Sequence, residues 1–302
     1  MAGQSITYTV AGMEKPWPAD PGLGIEAGDA FRCTTLLGAI AKPALVGWAT
    51  KQEALAYQAA IRQVFLDRPA LVSGFPIASY NTDDGQIDKW LDDFGIQVAG
   101  ARKVIGAAER ASQEARDIGT QAHAWVEWWC KAKLDKKKEP PAPPPLSEAA
   151  HRVTAGFAEW AKAEDFLPAY AEETVWSAAD RWAGTVDLIG RIGPGTRRGR
   201  PLVVIDVKSS NAIYVEAKMQ VAAYCVAVHE RGMTKALPKG IILRLPKSED
   251  NLRETQERTG QPYEVRIIEG EEVVEHYQAF LAAKQLYETM RRLKRAEKEE
   301  SE

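Results

Sequence analysis

The sequence predicts an α/β fold: a mixed central β-sheet flanked by helices, with a helical extension at the N-terminus. Two observations carry this. In several segments before residue 163 apolar residues recur at helical intervals, whereas beyond it they follow the period of two that marks strands. The second part of the chain then runs helix, three strands, helix, strand, strand, helix. With 45% hydrophobic and 27% charged residues among 302, the chain can bury a full core.

Residues 1–30 are rich in Gly and Pro and read as strand fragments and turns. Leu36, Leu37, Ile40, Leu45, Trp48 and Leu55 then follow helical spacing to about Leu66, interrupted at Pro43. Residues 67–101 carry Pro, Gly and Asp in quantity and read as a loop-rich insertion. A long helix is expected from about Arg102 to Leu134, followed by an extended connector at Pro140-Pro141-Ala142-Pro143-Pro144-Pro145. Ser147 is positioned to cap a helix reaching Ala163. Strands are expected at Glu173–Ser177, Gly184–Ile192, Leu202–Lys208, Gly240–Leu245 and Tyr263–Ile268, and helices at Tyr214–Glu230 and Glu271–Lys298. The expected division is residues 1–101, a helical and loop-rich region packing on the core, and residues 102–302, the core itself.

Lys plus Arg is 39 and Asp plus Glu is 42, a net charge of −3. That balance excludes a polycation, so any nucleic-acid surface must be a local patch. Cys33, Cys130 and Cys225 are widely spaced and include no Cys-x-x-Cys pair. This argues against a disulfide framework, a zinc ribbon or a four-cysteine cluster, and it fits a reducing cytosol. No stretch approaches the roughly 18 apolar residues of a membrane span, and the first residues lack a basic-then-apolar leader. A soluble cytoplasmic protein is expected.

The chemistry concentrates between Arg181 and Tyr224. Gly184-Thr185-Val186-Asp187-Leu188-Ile189 is apolar but for Thr185 and one carboxylate, and Leu202-Val203-Val204-Ile205-Asp206-Val207-Lys208 ends in opposite charges. Side chains alternate along a strand, so Asp206 and Lys208 share a face. The Gly193-Pro194-Gly195 turn lets the two strands pair as a hairpin, bringing Asp187 towards Asp206. Charges inside apolar strands are costly unless paired or metal-bound. Two such carboxylates suit a hard divalent ion such as Mg²⁺, which polarises a phosphodiester and lowers the pKa of a bound water. A lysine beside them stabilises developing negative charge. The plainer alternative is an Asp206–Lys208 ion pair at a sheet end, with Asp187 capping a turn.

These pieces, followed by Gln220-Val221-Ala222-Ala223-Tyr224 on the next helix, resemble the PD-(D/E)xK nuclease superfamily, in particular its RecB-like and phage exonuclease branch. The resemblance covers about residues 102–290. It implies a restriction-endonuclease-like core, with Asp187, Asp206 and Lys208 catalytic. Asp187, Asp206 and the carbonyl of Val207 would be metal ligands, and Gln220 and Tyr224 would lie near the active site and DNA. Gly119, His123 and Glu127 match a helical element of the branch whose histidine contributes to the metal site, so His123 is an expected ligand. An imidazole also admits Mn²⁺. Without the motif, His123 is simply part of a polar helix face. Glu127 is left open; of Glu172 and Glu173 alternation lets only one face inward to join the metal site, and a solvated strand start is the plainer reading of both.

Arg191, Arg197, Arg198 and Arg200 surround the hairpin turn, and Arg197 and Arg198 are candidate phosphate contacts for DNA; a solvated turn explains them equally well. Lys42, Trp48 and Lys51 mix basic and aromatic character that would suit single-stranded ends. The expected activity is Mg²⁺- or Mn²⁺-dependent hydrolysis of DNA by an exonuclease. The alternatives are a non-catalytic DNA-binding or scaffolding protein of the same fold, and a sequence-specific endonuclease.

Overall fold

The computed structural model describes residues 7–9, 17–23, 25–37, 107–135, 141–194 and 199–301. Residues 1–41 and 118–302 form one compact unit and residues 42–117 a second. Apart from the start of the long helix, everything described below belongs to the first. The expected helices and loops between residues 38 and 106 lie outside the described residues, as do Lys42, Trp48, Lys51, Arg197 and Arg198.

The elements in chain order are β1 (Thr7–Thr9), β2 (Asp29–Arg32), α1 (Cys33–Leu37), α2 (Ala107–Leu134), α3 (Glu148–Ala163), β3 (Leu167–Ser177), β4 (Trp182–Arg191), β5 (Leu202–Lys208), α4 (Val215–Glu230), β6 (Lys239–Arg244), α5 (Glu249–Thr259), β7 (Glu264–Ile268) and α6 (Glu271–Ser301). The seven strands make one mixed sheet, parallel at β2–β4 and β5–β6 and antiparallel elsewhere. β3 follows β4 along its whole length, from Leu167 opposite Arg191 to Ser177 opposite Trp182. β2 and β5 therefore divide the other edge of β4 between them. β2 takes Trp182 and Ala183, and β5 takes Leu188 to Arg191. Gly184 to Asp187 is left between the two branches, and the sheet forks there.

Alternation along the strands builds two apolar layers. Ile205, Val207, Ile241 and Leu243 face α2 and α3, meeting Phe157 and Trp160. Val204 and Ile242 face α4 and α6, meeting Tyr224 and Phe280. Asp206 and Lys208 follow Val204 in period and so belong to the α4 side. α4 is buried on several sides at once, through Met219, Val221, Ala222, Ala223, Tyr224 and Cys225 among others, because it lies between the sheet and α6. The Ser147 hydroxyl accepts from the Ala150 amide and caps α3. All three cysteines are buried free thiols.

Two elements differ from expectation. β3 begins at Leu167 rather than Glu173, because Pro168 is tolerated on an edge strand and an irregularity follows it. α5 was not expected at all. It buries only Thr255, so no apolar stripe announces it. Its signals are at its ends: Ser248 accepts from the Asn251 amide, and Gly260 closes it in the left-handed region at φ 73°.

Candidate active site

The fork at Gly184–Asp187 lets side chains from both faces of the sheet meet. The β4–β5 ladder stops at Leu188 opposite Ile205. One residue further on, the Asp187 carboxylate takes the place of a backbone partner: its Oδ2 accepts from the Val207 amide at 2.7 Å. In an extended strand a residue's N–H and C=O point to the same edge, so the Val207 carbonyl is directed into the fork as well. From the other layer, α2 passes the end of β5 so closely that a Cβ on Gly119 would stand 3.2 Å from Ser209 Oγ. One turn later His123 Nδ1 lies 3.5 Å from Asp187 Oδ1.

On the α4 side, Lys208 Nζ donates to Asp206 Oδ1 at 2.9 Å and lies 2.8 Å from Oδ2. It also donates to Gln220 Oε1 at 3.2 Å, and Gln220 Nε2 donates to the Tyr224 hydroxyl at 3.0 Å. Asp206 is fully buried, and its Oδ2, although close to the ammonium, has no aligned hydrogen-bond donor among the described residues. Tyr224 is 2% exposed, so a direct contact with DNA is closed to it; it supports Gln220 from below. Gly184 is what admits it, since a Cβ there would lie 2.8 Å from the Tyr224 ring.

The register resolves the choice between the two glutamates. Glu173 is opposite Val186 and Ala171 opposite Leu188, which sets Glu172 across from Asp187. Glu172 has φ 53°, a conformation that costs a non-glycine residue about 1–3 kcal/mol. Ligand atoms of His123, Glu172 and Asp187 lie within 4.8 Å of one another. Glu173 pairs instead with Arg231 at 3.2 Å, and Glu127 pairs with Lys131 along α2. The arginine turn is corrected in part. Arg200 is buried and bound to Asp165 through its carboxylate at 2.5 Å and its carbonyl at 2.9 Å, and Arg191 donates to the Arg200 carbonyl. Those two guanidinium groups shape the hairpin rather than a phosphate surface.

Electrostatics separate the two aspartates. Burial raises the Asp206 carboxyl to about 6 against the pull of Lys208. Burial acts on Asp187 too, but His123 and then Lys208 outweigh it and hold its carboxyl below the ordinary range. Burial opposes charge on His123 and Lys208, yet Asp187 raises the imidazole to about 9, and Asp206 with Asp187 keeps the ammonium above its usual value. Glu172 is raised to about 7 by partial burial and then by Asp187. A residue that sequence reasoning missed is Cys33 at the start of α1. It is buried beside Gly184, and its thiol is pushed up by burial and then by Asp206. Nothing in the sequence links it to a strand some 150 positions away.

The carboxylates of Glu172 and Asp187 with the His123 imidazole, whose ligand atoms gather within 4.8 Å, fit a divalent cation, and the Asp206–Lys208 pair stands beside that group rather than within it. The sequence profile of the PD-(D/E)XK nuclease superfamily matches residues 97–301, more than half of the chain. The chain belongs to that superfamily, whose members are generally divalent-metal nucleases. No curated protein matches the chain closely enough to narrow this further. Among the described residues no helix is long and apolar enough to cross a membrane.

Proposed function

We propose that the chain is a divalent-metal-dependent deoxyribonuclease of the RecB-like and phage exonuclease branch, removing nucleotides from DNA ends. The observation that supports it most is the placement at the fork of Asp187, bound to the Val207 amide, next to the Asp206–Lys208 pair on the adjoining strand. The placement of His123 beside Asp187, and of Gln220 and Tyr224 behind Lys208, supports the branch.

Asp187, Asp206, His123, Glu172 and the Val207 carbonyl are the groups that would hold Mg²⁺ or Mn²⁺. When bound, such an ion supplies Lewis-acid polarisation of a phosphodiester and a water of lowered pKa. The chain's own residues do the rest. Lys208 stays protonated at neutral pH, so it acts as a hydrogen-bond donor to developing negative charge and not as a base. Gln220 and Asp206 fix its ammonium from two directions, which restricts where that charge is offered. Asp187, tied to the Val207 amide, sets the separation of β4 and β5 at the site.

Cleavage of end-labelled linear DNA with and without Mg²⁺ or Mn²⁺ tests the reading, with covalently closed circular DNA beside it. The expected result is metal-dependent loss of the linear substrate while the circle persists. Cutting of the circle identifies an endonuclease, and binding without cutting identifies a non-catalytic protein.

The protonation of His123 gives a second expected result. A ligand imidazole must be neutral, and in the metal-free protein this one holds its proton to about pH 9. Mn²⁺ must therefore displace a proton below that pH, so affinity rises with pH by up to about tenfold per unit between neutrality and about 9, then levels. Below about 7, Glu172 adds to the slope. Mn²⁺ titrations followed by electron paramagnetic resonance across this range check it. His123→Gln should flatten the upper part of the curve, and an unchanged slope in that variant would remove His123 from the ligand set.

A further inference from the structure

The loop that follows Lys208 is held from beneath by groups the cleavage chemistry does not use. Arg244, at the end of β6 and 4% exposed, donates from Nε to Glu264 Oε2 at 2.6 Å and from Nη2 to Thr255 Oγ1 at 2.7 Å. Its Nη1 donates to the Asn211 carbonyl at 3.0 Å, with the Ser210 carbonyl at 3.5 Å. From α5, Asn251 Nδ2 donates to Asn211 Oδ1 at 3.0 Å. A buried guanidinium paired in this way cannot swing out without leaving charges unmatched. The loop is thus ordered before any ligand arrives.

At the far end of this braced loop stand Tyr214, 47% exposed, and Val215, 54% exposed. Tyr214 is six residues from Gln220, about 9 Å along a helix at 1.5 Å per residue. Gln220 Oε1 is in turn 3.2 Å from Lys208 Nζ. The axial rise from Tyr214 to Gln220 corresponds to about two to three nucleotides of a stacked strand at about 3.4 Å each. Lys218, in the first turn of the helix that Tyr214 precedes, adds positive charge. A solvated ring beside an aliphatic side chain is a poor phosphate contact but matches the face of a base, and that face is open only where the base has no stacked neighbour.

We propose that Tyr214 is a stacking platform for an unpaired base of the substrate strand, so that the preferred substrates are DNA molecules with single-stranded or frayed ends. This rests on the nuclease reading above. The test uses the full chain and DNA with 2-aminopurine in an overhang of about three nucleotides. Quenching of the probe is measured in EDTA, where no chemistry occurs, and KM is measured with Mn²⁺ on overhanging and blunt DNA. Wild type and Tyr214→Trp should quench the probe, and Tyr214→Ala should not. Tyr214→Ala should also raise KM for the overhang about tenfold relative to blunt DNA, with Tyr214→Trp restoring it. Equal quenching and equal KM ratios in wild type and Tyr214→Ala would overturn the platform while leaving cleavage intact. Quenching that depends on Tyr214 in a protein that never cuts, whatever the divalent ion, would support the platform and sink the nuclease reading instead.

Discussion

Asp206→Ala is expected to abolish cleavage of end-labelled DNA, lowering kcat by about 10³-fold or more, while the purified protein keeps a native circular-dichroism spectrum. Asp206 is the fully buried carboxylate in contact with the Lys208 ammonium through both oxygens. Its removal withdraws a proposed cation ligand and frees Lys208 to move, so the two effects fall on the same step. The fold should tolerate the change. Lys208 is about one-quarter exposed, and Gln220 still accepts from it, so the orphaned ammonium can reach water. Breaking a fully buried pair costs about 3–5 kcal/mol, and this partly solvated one should cost less. Lys208→Arg should fare little better than Lys208→Ala, because a planar guanidinium cannot be seated between Asp206 and Gln220 as an ammonium is. Retained cleavage by purified Asp206→Ala would remove the central proposal.

How far the sequence led depended on whether a feature was written locally. The Asp206–Lys208 spacing is local: alternation alone sets both on one face, and the structure joins them at 2.8 Å. Gln220 and Tyr224 four apart on a helix are local too, and they are hydrogen-bonded at 3.0 Å. The choice of Glu172 over Glu173 was not legible, because it depends on which residue of β3 stands across from Asp187, and register is a property of the pair of strands. The fork was equally hidden. It arises because β2, contributed from far upstream, occupies part of the edge of β4 that β5 would otherwise cover. α5 escaped notice for the opposite reason. Its sequence is local but nearly all polar, and the element is held by its caps and by Thr255 bonded to Arg244.

Gly184→Ala is expected to disable the site without touching a charged group. A Cβ at this position would lie 2.8 Å from Tyr224 Cε1, 3.1 Å from its hydroxyl and 3.2 Å from Cys33 Cβ. Tyr224 cannot retreat: it is enclosed between β4 and α4, with Trp182 at a ring-centroid distance of 6.4 Å. Either the ring shifts, taking Gln220 and with it one anchor of Lys208, or β4 shifts, taking Asp187. Overpacking of this kind costs about 1–3 kcal/mol of stability, read as a lower melting temperature. The displacement of Lys208 should lower kcat by about a hundredfold, since misplacement by an ångström suffices for that. Adding Tyr224→Leu separates the two consequences. The smaller side chain should relieve the clash and recover much of the melting temperature, yet leave kcat low because Gln220 has lost its hydroxyl partner. Full recovery of kcat in the double variant would mean that Tyr224 only fills space and that the hydrogen-bonded chain behind Lys208 has no part in the reaction.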